Sequence, residues 1–336
     1  MKKNRLNILL SGVLLVIILA SMPLMAACAP KEPTGPIVLK VVGSFGPPHP
    51  VFVPFQRTID TINERAEGEL VIEWVGAGEV MSRSVLAKAC QDGVIDIMYT
   101  YASVYVNLVP LASTLMISDK EAYEERDTGY YDLLVDAHEE AGFRFIGRQA
   151  RAGLNMQTTI PAKSPADLEG SIWAFASEVT NQAVFAFGGT TAAVGYRETY
   201  TGFERGLIQG RVQAVSTSVA MSLPEVAPYV VGPILWPMSS QVWVMNLDSW
   251  NRLPKHLQDL ILEVQMEGEP WMVEYEKERD INDMKIAIEK GVQRIEWSQA
   301  DSEAFIAQVR ANNWAFAETQ LGDAALTAKV RGMISN

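Results

Sequence analysis

The sequence predicts an α/β protein of two lobes backed by one long helix. Two series of short strands and helices alternate, one over residues 37–102 and one from Gly142 to Ser218. Alternation in such short units is the pattern of an α/β fold with a mainly parallel sheet. A helical pattern then runs from Leu253 to Gly291, interrupted only by Gly268 and Pro270. At 1.5 Å per residue such a helix exceeds about 50 Å, more than one small domain needs, so it is expected to span both lobes. The 336 residues, 48% hydrophobic and 20% charged, suffice for two globular domains with a large core.

Each element has its own signal. IVLKVV, from Ile37, reads as a strand running into the Gly/Pro loop that reaches His49. Phe52, Phe55, Ile59 and Ile62 recur at helical spacing, and Glu67-Gly68 ends that helix. ELVIEWVGAG is the next strand, SRSVLAKACQDG a helix beginning at Ser82, and VIDIMYTYA a third strand. In the second series FRFIGRQA and SIWAFA read as strands, EVTNQAVFAFGG as a helix and TTAAV as a strand. ETYTGFERGLIQG follows as a helix and VQAVSTS as a strand. From Gln299 to Ser335 the tail is helical and amphipathic. The two series share a class but no residue-level repeat.

The first 28 residues stand apart. Lys2, Lys3 and Arg5 precede an apolar run from Ile8 to Ala20, and LMAAC ends at Cys28, the layout of a secretory signal. Small residues before the cysteine resemble the bacterial lipobox, with Met25 where Leu is commoner. That motif implies lipidation of Cys28 and a protein anchored to the membrane at the periplasmic or extracellular face. Cleavage at Ala27-Cys28-Ala29 by ordinary signal peptidase is the rival reading, and the apolar run is short for a permanent membrane span. APKEPTGP, residues 29–36, reads as a Pro/Gly tether.

Removing the three basic residues of the signal takes the net charge from −12 to −15. An acidic body with no basic stripe argues against nucleic-acid partners. Beyond Cys28 only Cys90 remains, so an internal disulfide is excluded; beside Leu86 and Ala89 it reads as buried core. His49, His138 and His256 are widely spaced, and no cysteine pair, phosphate loop or serine elbow appears. Enzyme, metal and cofactor chemistry are therefore not expected.

Two lobes in an exported, tethered chain suggest a clamshell with a ligand in the cleft at the carboxyl ends of the strands. Ser44 and Phe45 lie at the mouth of the first strand, in a loop able to close over a ligand, while His49 reads as a loop or capping residue. Arg83 opens a helix, where free N–H groups and the dipole already favour an anion; a solvated first-turn arginine is the alternative. In DLEGSIWAFA, from Asp167, Trp173 and Phe175 flank Ala174, and period two sends both to the face opposite it. Phe175 reads as core and Trp173 as either core or cleft wall. Arg151 follows Arg144 and Arg148 along one strand and reads equally as cleft or surface. Trp243 reads as core, Trp236 as cleft rim or hinge packing, and Asn246 as a helix-start residue.

Five motifs in order, ELVIEWVGAGEV, QDGVIDIMYT, SPADLEG, ETYTGFERGLIQG and NLDSWNRLPKHLQDLI, resemble the solute-binding proteins of tripartite ATP-independent periplasmic (TRAP) transporters, of the DctP type. The likeness covers most of residues 37–330. It implies the periplasmic-binding-protein clamshell, with lobe I over 37–151 plus about 239–268 and lobe II over 152–238 plus about 269–336. It also implies a receptor, not an enzyme, that captures a small organic solute and delivers it to membrane permease subunits. Where the family has DLKGLKIR this chain has DLEGSIWA, so Ala174 occupies the place of the arginine that holds a ligand carboxylate. The resemblance then implies an organic acid held without that arginine, or a more apolar, neutral compound. Arg83 and Arg151 are the candidate replacements. Tyr101, Tyr196 and Gln213 match positions that commonly touch ligand, and Glu198 matches a glutamate that either caps a helix or reaches the ligand. An exported sensing module and a cleft enzyme are the alternatives.

Overall fold

The computed structural model describes residues 35–47 and 49–335, and the compact body begins at Val38. The expectations for the signal, Cys28 and most of the tether lie outside the described residues. No described helix is long and apolar enough to cross a membrane.

The body is a two-lobed α/β fold. Strands β1 (Ile37–Gly43), β2 (Leu70–Gly76), β3 (Ile97–Tyr101), β4 (Phe143–Thr158), β5 (Ile172–Ala174), β6 (Thr190–Ala192), β7 (Gly210–Gln213), β8 (Tyr229–Asn246) and β9 (Gln293–Ile295) form one sheet. Its order is β2-β1-β3-β8-β4-β7-β5-β6, with β9 against β8. The pairs β1–β3, β5–β6, β5–β7 and β8–β9 are parallel, as the alternating pattern predicts. The pairs β3–β8, β4–β8 and β4–β7 are antiparallel, so the sheet is mixed and not mainly parallel.

Two long strands cause that difference. β4 starts opposite the end of β8, with Phe143 facing Asn246, and finishes beside β7, with Thr158 facing Gly210. β8, in turn, pairs with β9 at Val231 and with β3 at Trp243. Both strands thus pass from the β3 side of the sheet to the β7 side. Sequence patterning finds only the first half of β4 and, of β8, only a returning strand near Trp236 and Trp243, because register shifts between Arg148 and Leu154 break the period-two alternation.

VQAVSTS also differs from expectation. The strand stops at Gln213, and Val215–Ala220 is a helix (α7 in the order below). Val215 and the partly buried Val219 pack with Val230 and Ala287, so tertiary burial overrides the strand preference of valine.

The other helices are α1 (Val53–Arg65), α2 (Arg83–Gln91), α3 (Ala122–Asp127), α4 (Tyr130–Glu140), α5 (Glu178–Ala186), α6 (Thr199–Glu204), α8 (Leu247–Asn251), α9 (Lys255–Glu289), α10 (Gln299–Leu321) and α11 (Ala324–Ile334). Asn246 caps α8, its side chain accepting from Ser249 N at 2.9 Å. The long helix α9 runs through Gly268 and Pro270 for 35 residues, about 52 Å at 1.5 Å per residue. It packs on α1, β4 and α7, which compensates for the backbone bond that Pro270 removes.

A buried polar network fastens α9 to the long strands. Gln265 accepts from Trp243 Nε1 at 2.7 Å and donates to the Arg148 carbonyl at 3.2 Å. It also donates to Glu269, which accepts two bonds from Arg126. A Cβ at Gly147 would lie 2.7 Å from the Gln265 amide, so that position admits no side chain without displacing the network. Trp243 is core, as its sequence context suggests.

His138, on α4, sits between two partners. Its Nδ1 donates to the Leu134 carbonyl at 2.6 Å, which leaves Nε2 to accept from Tyr105 Oη at 3.0 Å. Burial lowers its pKa to about 4, so the folded protein holds it neutral. Because the folded value lies below the unfolded one, the unfolded chain binds more protons in the interval between them. The contribution is complete above pH 6.5 and is lost as pH falls toward 4, by about 3 kcal/mol at the acid limit. Urea titrations of wild type and His138→Gln across that window should show the wild type losing more stability on acidification. Parallel pH curves would contradict this assignment.

Candidate functional site

A cavity of about 320 Å³ opens where the strands β1, β3, β5 and β7 end. Phe45 follows β1, Tyr101 closes β3, Phe175 follows β5 and Gln213 closes β7, and all four line the cavity. This is the crevice in which α/β sheets present ligand contacts.

Phe45 is the centre of an aromatic group. Its ring lies 5.6 Å from that of Tyr101 and 6.4 Å from that of Tyr196, both edge-on, and 4.5 Å from the His49 ring. Tyr196 comes from the loop between β6 and α6, so Phe45 and Tyr196 bring the β1 and β6 sides together over the cavity. Burial raises the pKa of both tyrosines, which therefore offer neutral hydroxyls. His49 is the loop residue expected: its Nδ1 accepts from Val51 N. Burial, helped by the charges of Arg279 and Arg83, lowers its pKa to about 4.

Two guanidinium groups face this aromatic group. Arg83, the first residue of α2, stacks 4.7 Å over Phe45 and 5.8 Å from Tyr101. Arg211 of β7 lies 5.7 Å from the Tyr196 ring. Arg211 is only 8% exposed and donates from Nη1 to Thr199 Oγ1 at 2.8 Å, while its Nε is buried with no partner. Among the described residues neither arginine pairs with a carboxylate. Burial, with the nearby charge of Arg83, lowers the Arg211 pKa despite the opposing pull of Tyr196. A buried cation without a counter-charge is costly, and an anionic ligand removes that cost. The amino end of α5 also meets the cavity through Ser177 and Glu178, with Ser177 capping the Thr180 amide.

The structure gathers Phe45, Arg83, Tyr101, Tyr196 and Gln213 around one cavity and leaves three other candidates off it. Ser44 is turned away, its hydroxyl bonded to Thr100 Oγ1 at 2.7 Å. Trp173 is fully buried, its Nε1 donating to Ser171 Oγ at 2.8 Å. Its indole lies flat over Gly210, where a Cβ would come within 2.3 Å of the ring. Ala174, 1% exposed, packs with Phe203, Ile208 and Leu223. Phe175, expected in the core, is 41% exposed and forms cavity wall. β5 ends at Ala174, so the period-two rule that ties Phe175 to Trp173 no longer applies. The Arg151 and Trp236 side chains lie outside the described residues. Glu198 precedes α6 but makes no side-chain capping bond and does not line the cavity.

Arg211 is the functional candidate that sequence reading missed. Its signal is a lone charge in a four-residue strand whose every position is buried. It is also the register partner of Ala174 on the neighbouring parallel strand, so both side chains leave the same face of the sheet. Among the described residues no group of three or more His, Cys, Asp or Glu side chains is arranged to hold a metal.

A family model, described as bacterial extracellular solute-binding protein family 7 (DctP), matches residues 45–319. Among solved structures, a TRAP periplasmic solute-binding protein from Desulfovibrio salexigens with bound orotic acid superposes with a TM-score of 0.77 at 17% identity, covering 88% of this chain and 97% of that one. A Bordetella pertussis extracytoplasmic solute receptor binding pyroglutamic acid gives 0.74 at 14% identity over 89% and 100%. A Roseobacter denitrificans TRAP solute-binding protein with bound β-D-glucuronate gives 0.73 at 16% identity over 88% and 99%. At these identities the superpositions establish the two-lobed fold, and the family match extends over most of the body. The chain belongs to the DctP family of TRAP solute-binding proteins.

Proposed function

We propose that this protein is the extracytoplasmic receptor for a small organic anion, held between Arg83 and Arg211 and delivered to TRAP permease subunits. The observation that carries this reading is the pair of guanidinium groups that face one cavity with no carboxylate partner among the described residues. The family relatives with bound orotic acid, pyroglutamic acid and glucuronate point the same way. Phe45, Tyr101, Tyr196 and Gln213 complete the wall around the ligand. Arg211 takes over, one strand away, the role that Ala174 cannot fill.

The lobes are 37–151 plus about 239–268 and 152–238 plus about 269–336, and they close as a hinge around β4 and β8. The tail, assigned to the second lobe, packs there on α5 and also touches the first: α10 packs on residues 110–116, and Arg310 pairs with Asp119. Lipidation of Cys28 anchors the receptor to the membrane, and residues 29–36 give it reach. Replacing Cys28 by Ser should release the protein from the membrane fraction. Continued attachment would indicate an uncleaved signal.

Ligand binding to the folded state raises the melting temperature with the logarithm of the ligand excess over Kd. A thermal-shift panel of organic acids and neutral isosteres tests the receptor reading. Carboxylates should shift wild type by a few degrees at about 100-fold excess over Kd, and Arg83→Ala should need more ligand for the same shift. A panel in which no acid shifts the melting point would remove the reading's support.

A further inference from the structure

Among the described residues that line the cavity, the charged side chains are Arg83, Arg211 and Glu178, a surplus of a single positive charge. His49, behind Phe45, adds none near neutral pH. Much of the remaining cavity wall is apolar. Val106, Met116, Leu154, Val179, Val212 and Phe316 face the cavity and are continuous with the main hydrophobic core.

Some of the uncharged polar groups are spent on one another. Ser177 and Thr180 share a hydrogen bond at 2.7 Å, and Gln213 donates to Gln157 while its Oε1 is buried without a partner. Thr217 lies near Tyr196 and Gln241 near Tyr101. A ligand with several hydroxyls would lose its water to a lining that is mostly apolar, and unpaired polar groups are rejected strongly in such a site. A second carboxylate would meet apolar side chains with no cation to balance it. The volume is at the lower end of the range for small-molecule cavities, roughly 300–1,000 Å³.

Resting on the organic-anion reading above, we infer that the solute is a small monocarboxylate with an apolar, unhydroxylated body, of the aryl or branched-alkyl class. Its carboxylate lies between Arg83 and Arg211, beside Phe45 and Tyr196, and its body lies on the wall formed by Met116, Val179 and Phe316. Sugar acids and dicarboxylates fit the charge or the size of the cavity but not both its charge and its lining.

Calorimetric titration of the full-length protein with five probes tests this: phenylacetate, 3-methylbutanoate, glucuronate, succinate and phenylacetamide. At least one of the two apolar acids should bind about 100-fold more tightly than glucuronate and succinate, and phenylacetamide should bind about 100-fold more weakly than phenylacetate. Tighter binding of glucuronate or succinate would overturn the class of solute while leaving the organic-anion reading intact. Equal affinity for phenylacetate and its amide would overturn the organic-anion reading itself. Failure of both apolar acids to bind would also overturn the inference.

Discussion

Arg211→Met should lower affinity for an anionic solute by about 100-fold while leaving the ligand-free protein as stable as wild type or more so. One charge-assisted hydrogen bond contributes roughly 1.5–3 kcal/mol, and 100-fold corresponds to about 2.8 kcal/mol. The guanidinium is buried, makes one described bond to Thr199, and has its pKa lowered by desolvation. A methionine of similar length removes that desolvation without opening a cavity. The two readouts separate a binding role from a structural one. Calorimetry measures the affinity loss, and urea unfolding of the ligand-free protein measures stability. A destabilised variant with unchanged affinity would make Arg211 a structural residue.

Glu125→Ala should cost about 3–5 kcal/mol of folding stability, the largest effect expected of any single substitution here. Glu125 and Arg148 are both buried, and they form a two-bond pair at 2.8 and 3.0 Å. Arg148 also donates to the Lys120 carbonyl, and its own carbonyl accepts from Gln265. Removing the carboxylate strands a cation at the point where β4, α3 and α9 meet. The double variant Glu125→Leu with Arg148→Met removes both charges and should recover most of the loss. Chemical denaturation of the three proteins checks this, and a single variant within about 1 kcal/mol of wild type would contradict it.

Much of this architecture was legible because it rests on local pattern. The strands β1, β2 and β3, the helix opened by Ser82 and the long helix α9 follow from period, capping residues and length. Phe45 and Tyr101 were legible because strand ends meet the cleft. Arg83, read from the start of a helix, lines the cavity. What stayed hidden depends on contacts far apart in sequence. Nothing near Trp173 announces that Gly210 will lie beneath its ring, and it is that packing which takes Trp173 out of the cleft. The full span of β4 and β8 was hidden by the bulged register between them. Arg211 fell between the helix read to Gly210 and the strand read from Val212, and its strand is buried at every position. Ala174, by contrast, was informative through what it lacks. Its register partner on the adjacent strand, Arg211, leaves the same face of the sheet.

An electron-density map of the protein crystallised with an apolar carboxylate shows directly where the ligand's charge sits. The expected map has carboxylate density within hydrogen-bonding distance of both Arg83 and Arg211, bordered by Phe45 and Tyr196. Density for the carboxylate at the Met116 and Phe316 wall, or for the ligand outside this cavity, would contradict the account.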